Sequence, residues 1–110
     1  MIKNKQKELK IKRWVNKWVI VCTDETKRGV FYGKLVEYNR EKDYVVLESA
    51  RMILYWCAEV RGVLGLAKVG AISGCRVSST VPRIELTSIS AIIGTTPKAQ
   101  KTFEKEIIWS

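Results

Sequence analysis

The run Ala50-Arg51-Met52-Ile53-Leu54-Tyr55-Trp56-Cys57 is the most apolar and aromatic stretch of the chain, and it carries one arginine near its start. A short apolar run between polar turns reads as a buried strand, since a helix would need more length and a polar face. Strand-like segments lie on both sides of it, and the only internal helix pattern follows it directly. Any fold for this chain must therefore place this run at the centre of a sheet. A Tyr-Trp pair then leads out of the sheet and into that helix.

The segments around it follow in order. Trp14 to Thr23 ends in a continuous β-branched run, the pattern of a strand buried on both faces. Trp14 and Trp18 are four apart, which also allows a short helical turn ahead of that strand. Asp24 to Gly29 is a polar turn. Val30 to Tyr38 alternates, with Val30, Tyr32, Lys34, Val36 and Tyr38 on one side and Gly33 as the place for a bulge. A charged hairpin over 39–43 leads to the return strand Tyr44–Glu48, and Glu48-Ser49-Ala50 is expected to turn the chain into the central run. Residues 58–69 read as a helix, with Val60, Val63, Leu64 and Ala67 on its apolar face and Gly70 at its end. Gly62 and Gly65 each cost such a helix ~1 kcal/mol against alanine, so close packing is expected there. Three strand-like segments follow, over 76–81, 83–87 and 89–93, with Pro82 restricting its strand to an edge or bulge. Thr96-Pro97 then starts a C-terminal helix with Ala99, Phe103 and Ile107 on one face. Ile107-Ile108-Trp109 is too apolar to hang free and should dock on the body. The expected class is α+β: a strongly bent antiparallel sheet or small β-barrel with one internal and one C-terminal helix.

At 110 residues and 46% hydrophobic, the chain suits one globular domain, expected over 14–110. No run reads as a membrane span or a signal peptide, and a soluble protein in the cytoplasm of a bacterial host is the expectation. The net charge of +9 is unevenly placed: residues 1–17 carry +6 and the remainder +3. Residues 1–13 are therefore expected to be a basic, flexible leader. Such a leader can touch nucleic acid through residues 1–17, or it can simply be a solvated terminus. There is no histidine, and Cys22, Cys57 and Cys75 are widely spaced. That removes the commonest general base and any metal site with ordinary ligand spacing, so no metal and no cofactor are expected. The cysteines read as small hydrophobes.

Two stretches resemble a family of small phage and prophage proteins of unknown function. One runs from Gly29-Val30-Phe31-Tyr32-Gly33-Lys34-Leu35 through Tyr44–Leu47 to the R-x-I-x-Y-W motif at Arg51–Trp56. The other is Gly74-Cys75-Arg76-Val77, then Val81-Pro82-Arg83-Ile84-Glu85-Leu86-Thr87, Ile92-Ile93, Thr96–Ala99 and Trp109. The resemblance covers residues 18–110 and implies no enzymatic signature. It leaves the lysine-rich leader unaccounted for. A looser likeness, in the rhythm of 19–22, 33–35 and 45–47, is to Sm-like barrels.

Catalysis is the least supported class. The carboxylates Glu37, Glu41, Asp43 and Glu48 cluster on one hairpin, which is usually a solvated surface, and Gly62–Gly65 lacks the lysine and hydroxyl of a phosphate loop. Binding is better supported. Arginine beside aromatic rings suits a stacked base with its phosphate on the guanidinium. The candidate ligand-binding residues are Arg51, Tyr55 and Trp56, supplemented by Arg28, Tyr32, Arg76 and Arg83; in a regular strand Arg51 and Tyr55 share a face. The plainer reading is that Tyr55 and Trp56 are core or interface residues. Three functions follow as expectations. The first is a non-enzymatic, oligomeric sponge for a small anionic nucleotide, a cyclic nucleotide or ADP-ribose derivative used as an immune signal. The second is a nucleic-acid-binding protein using the leader and a small barrel. The third is a virion structural or assembly protein.

Overall fold

A computed structural model describes residues 12–24, 29–72 and 74–105. A 3-10 turn (Lys12–Trp14) precedes β1 (Trp18–Thr23), β2 (Gly29–Asn39) and β3 (Tyr44–Tyr55). A second 3-10 turn (Ala58–Val60) and helix α1 (Gly62–Val69) lead to β4 (Arg76–Val77), β5 (Val81–Thr87) and β6 (Ile89–Gly94), and helix α2 (Pro97–Glu104) follows. The strands form one six-stranded sheet in the order β4-β3-β2-β1-β6, with β5 also on β3. All pairings are antiparallel. The fold is α+β, as expected, and the sheet is bent but not closed. β5 and β6 are separated only by Ser88. Even so, β5 pairs with β3 and β6 with β1, so the two strands sit at opposite ends of the sheet order.

Both faces of this sheet are covered. On one face Val19, Val21, Leu35, Val45, Leu47, Ala50 and Leu86 form an inner core. On the other, Ile20, Tyr32 and Ile53 pack with Leu66 and Ala67 of α1 and Ala99 and Phe103 of α2. β1 lies between β2 and β6 and sends residues to both cores, which is why its sequence is continuously apolar. Ile84 and Leu86 face the inner core, as their alternation indicated. Pro82 stands in β5, which pairs with β3 alone, so its missing N–H falls on a strand with a free edge.

The central run corrects one expectation. No turn separates 44–48 from 50–55, because β3 is continuous through both. What the sequence suggested as a turn is a bulge. Between the pairs Tyr32↔Arg51 and Lys34↔Glu48, β3 holds one residue more than β2, and Ser49 takes a φ of 49°. Gly33 lies opposite, where an added Cβ would stand 3.1 Å from Leu47 Cβ and 3.3 Å from Ala50 Cα. A second irregularity near Val36 puts the extra residue on β2. It carries Tyr38 to the face of Leu35 and Phe31, where simple alternation had placed it with Tyr32.

The internal helix is shorter than its periodicity predicts. The 3-10 turn ends at Arg61, which is left-handed with φ 65°, and α1 starts only at Gly62. The buried face is Val60, Leu66 and Ala67, whereas Leu64, expected inward, is 71% exposed. At the other end Gly70, with φ 83°, donates its N–H to Leu66 O at 2.9 Å.

Helix α2 begins where Thr96-Pro97 predicts. Thr96 Oγ1 accepts from Ala99 N at 3.1 Å and donates to Lys68 O at 2.7 Å, so one hydroxyl both caps α2 and ties it to α1. Replacing Thr96 with alanine should lower the unfolding free energy by about 1–2 kcal/mol, and aspartate, which keeps the cap but not the tie, should recover part of it. Urea midpoints of the two variants measure this. Equal losses in both would mean that the cap contributes nothing. The expected docking of Ile107-Ile108-Trp109 and most of the basic leader lie outside the described residues.

Candidate functional site

Arg51 sits on β3 opposite Tyr32 of β2 and is 3% exposed. Burying a guanidinium is costly unless its donors are met. Here Nε donates to Ser78 O at 2.8 Å, and one terminal nitrogen donates to Phe103 O at 2.7 Å and Lys105 O at 2.9 Å. Those last carbonyls lie at the C-terminal end of α2, where a cation complements the helix dipole. The side chain therefore fastens three parts of the chain: β3, the segment after β4 and the end of α2.

Tyr32 completes the same layer. Its ring lies between Trp18, at 5.4 Å and 14°, and Phe103, at 4.1 Å and 16°. Burial pushes its phenol well above the ordinary value of 10.0, Glu104 adds to the rise, and Arg51 partly opposes it. A group whose pKa is raised in the folded state contributes stability that is complete below the unfolded pKa of about 10 and is lost as pH rises beyond it. Stability should therefore fall above about pH 10 more steeply in the native chain than in Tyr32→Phe. Urea midpoints between pH 8 and 11 test this. Parallel curves for the two proteins would contradict it.

The remaining candidates lie outside that layer. Tyr55 is 55% exposed, so it does not share the environment of Arg51; the register shift between Ile53 and Tyr55 breaks the alternation that would align them. Tyr55 instead faces Arg76, its partner on β4, which is also exposed. Neither side chain makes a hydrogen bond or ion pair among the described residues. Trp56 is half-buried against the core beneath the helices. Arg83 is exposed and pairs with Glu48 at 3.2 Å, a surface ion pair worth ~0–1 kcal/mol. Arg28 lies outside the described residues. The structure thus brings Tyr55 and Arg76 together and leaves Trp56 beside them in sequence. Arg51 and Tyr32 belong to the layer that holds α2.

An open groove of about 380 Å³ runs beside Trp56, lined by Val30, Met52, Leu54 and Val63. Met52, Leu54 and Val63 carry no polar signal and could not have been singled out from sequence. Thr23 and Asp24 stand in the wall, and the Asp24 carboxylate disfavours an anion there. Cys22 also lines it, and burial pushes its thiol up, which makes it a poor nucleophile. Among the described residues no group of three or more potential ligands could hold a metal ion. No helix among them is long and apolar enough to cross a membrane.

Residues 16–103 match the model of a family described as a domain of unknown function, DUF6948. The chain belongs to this family. No curated protein and no solved structure matches it. The DUF6948 match takes in every element from β1 to Phe103 of α2, including Arg51, Tyr55 and Arg76. It leaves residues 1–15, with most of the excess positive charge, outside the family's span.

Proposed function

We propose that this DUF6948 chain is a non-enzymatic accessory protein of phage type that sequesters a small anionic nucleotide. The observation that carries the reading is the exposed pair Tyr55–Arg76, side by side on neighbouring strands with no partner among the described residues. An aromatic face offers a base a stacking surface, and an adjacent guanidinium offers a phosphate two donors. A sponge needs binding without turnover, which accords with a chain that has no histidine. The ligand classes in view are cyclic nucleotides and ADP-ribose derivatives that serve as immune signals in a bacterial host, and the place of action is that host's cytoplasm. A flat pair of side chains encloses little of a ligand. A homo-oligomer, with Leu54 and Leu64 exposed nearby in sequence, would supply the missing wall from a second copy.

Titration calorimetry with a panel of cyclic dinucleotides and ADP-ribose isomers tests the proposal. At least one should bind, and Tyr55→Ala and Arg76→Ala should each weaken it by roughly tenfold or more. Uniform lack of binding would overturn it. A second reading, contact with nucleic acid through the basic leader, is favoured by the polar groove found where that leader enters the fold.

A further inference from the structure

β5 and β6 each pair on one side only, β5 with β3 and β6 with β1. β5 carries Pro82, Arg83 and Glu85, and proline and charge are what natural proteins use to stop an edge from accepting another strand. β6, Ile89 to Gly94, has neither. β1 shows which main-chain groups of β6 are left over. Trp18 O and Cys22 O accept the hydroxyls of Thr95 and Ser90 at 2.7 and 3.1 Å, so the even-numbered residues of β1 turn their main chain towards β6. The register sets Ile20 and Cys22 against Ile93 and Ala91. In an antiparallel ladder such pairs alternate, so the N–H and C=O of Ile92 and Gly94 point outward. The N–H of Ile89 points there too and is met by Asp43 at 3.1 Å. No partner among the described residues reaches Ile92 or Gly94 from that side.

This outer edge is one wall of a groove of about 350 Å³, and Trp14, Tyr38, Arg40 and Asp43 form the facing wall. The lining is almost wholly polar, as bare main chain between charged side chains should be. β3 runs from Tyr44 beside this groove to Tyr55, so the groove and the Tyr55–Arg76 pair lie at opposite ends of the central strand.

We infer that this groove takes an extended, acidic segment of a partner protein, added as a strand to the outer edge of β6. The inference is independent of the nucleotide site. Strand addition needs a row of free donors and acceptors, and Ile92 and Gly94 supply it. Main-chain hydrogen bonds carry the affinity, which accords with a lining that offers little apolar surface. The groove also selects its occupant. The same edge of a second copy would bring its own hairpin wall, and the two walls would collide, whereas a single extended segment fits between edge and wall. Charge sets the composition. Arg40 is exposed and makes no ion pair among the described residues, whereas the Asp43 carboxylate is already tied to Ile89. With a net charge of +9 on the whole chain, an acidic segment is both steered in and held by Arg40.

The test is fluorescence anisotropy of the full chain with a labelled, capped octapeptide of alternating glutamate and threonine. It should bind, and more weakly as salt is raised. The same peptide with proline for each threonine loses half its N–H donors and should not bind. Lysine for each glutamate should weaken binding roughly tenfold or more, and so should Arg40→Glu. Arg40 is exposed and supports nothing in the fold, so this variant should keep the native urea midpoint. Hydrogen exchange followed by NMR locates the added strand. The Ile92 amide should exchange fast in the free chain and slow down with peptide, whereas that of Ala91 should be slow throughout. Four results would overturn the inference. They are no binding, equal binding of the proline peptide, displacement of the peptide by oligo(dT), and an Ile92 amide already protected without peptide. The third would assign the groove to nucleic acid, and the fourth would mean that this chain or a second copy covers the edge. Each leaves the nucleotide proposal standing, because calorimetry with small ligands reads that separately.

Discussion

Arg51→Ala unfolds at a markedly lower urea concentration than the native chain, with a loss of about 3 kcal/mol. The estimate starts from the penalty of 1–3 kcal/mol for a buried polar group left without a partner. Three carbonyls, those of Ser78, Phe103 and Lys105, lose their donor together. Phe103 is buried, whereas Ser78 is half-buried and Lys105 exposed, so water repairs part of the loss. Hydrogen exchange should show the end of α2 opening first. Arg51→Lys should recover only a fraction, because an ammonium cannot span the three carbonyls as a planar fork does. The same variant separates two roles. A residue that fastens the core loses stability on substitution, whereas a ligand contact loses affinity and keeps it. An alanine variant within about 1 kcal/mol of the native chain would refute the fastening role.

Gly65→Ala is expected to be the most damaging conservative change. By helix propensity alone it should stabilise α1 by ~1 kcal/mol. Packing reverses the sign. A Cβ at Gly65 would stand 1.5 Å from Val60 O and 2.7 Å from Val60 C, both backbone atoms of the preceding turn. Neither can rotate away, so α1 or the 3-10 turn must shift and disturb the core around Val60 and Leu66. A net loss of about 2–3 kcal/mol follows. Gly62 is the control. Nothing lies within 4 Å of its added Cβ, and only its φ of 79° opposes a side chain, a strain of about 1–2 kcal/mol. Thermal melts should therefore rank Gly65→Ala below Gly62→Ala. A stabilised Gly65→Ala would show that the close approach is not kept in solution.

Much of this was legible in sequence where one residue reports its own surroundings. The continuous apolar run of β1 signalled burial on two faces, Thr96-Pro97 signalled a helix start, and Pro82 signalled a strand with a free edge. What was not legible depends on counting across strands. Ser49 looked like a turn because bulges and turns favour the same small polar residues. Tyr38 changed faces because one extra residue near Val36 is invisible without the partner strand. The helix over 58–69 was overextended because Arg61, an ordinary helix former, is left-handed here. The site shows the same pattern. Tyr55 and Arg76 were both candidates, but only strand pairing makes them neighbours. Trp14, Tyr38 and Arg40 come from separate segments and meet only in the folded chain.

The bulge at Ser49 also bears on which pairings the chain can reject. Because two residues share one place in the ladder, Ala50 keeps the face of Val45 and Leu47, and Arg51 falls on the other side. If the strand paired without the bulge, every residue after Ser49 would change faces. Arg51 would then enter the inner aliphatic layer, away from the carbonyls that now receive it. A slipped sheet would have to bury a bare cation, which is among the most unfavourable outcomes open to a folding chain. The arginine thus acts as a proofreader of strand register.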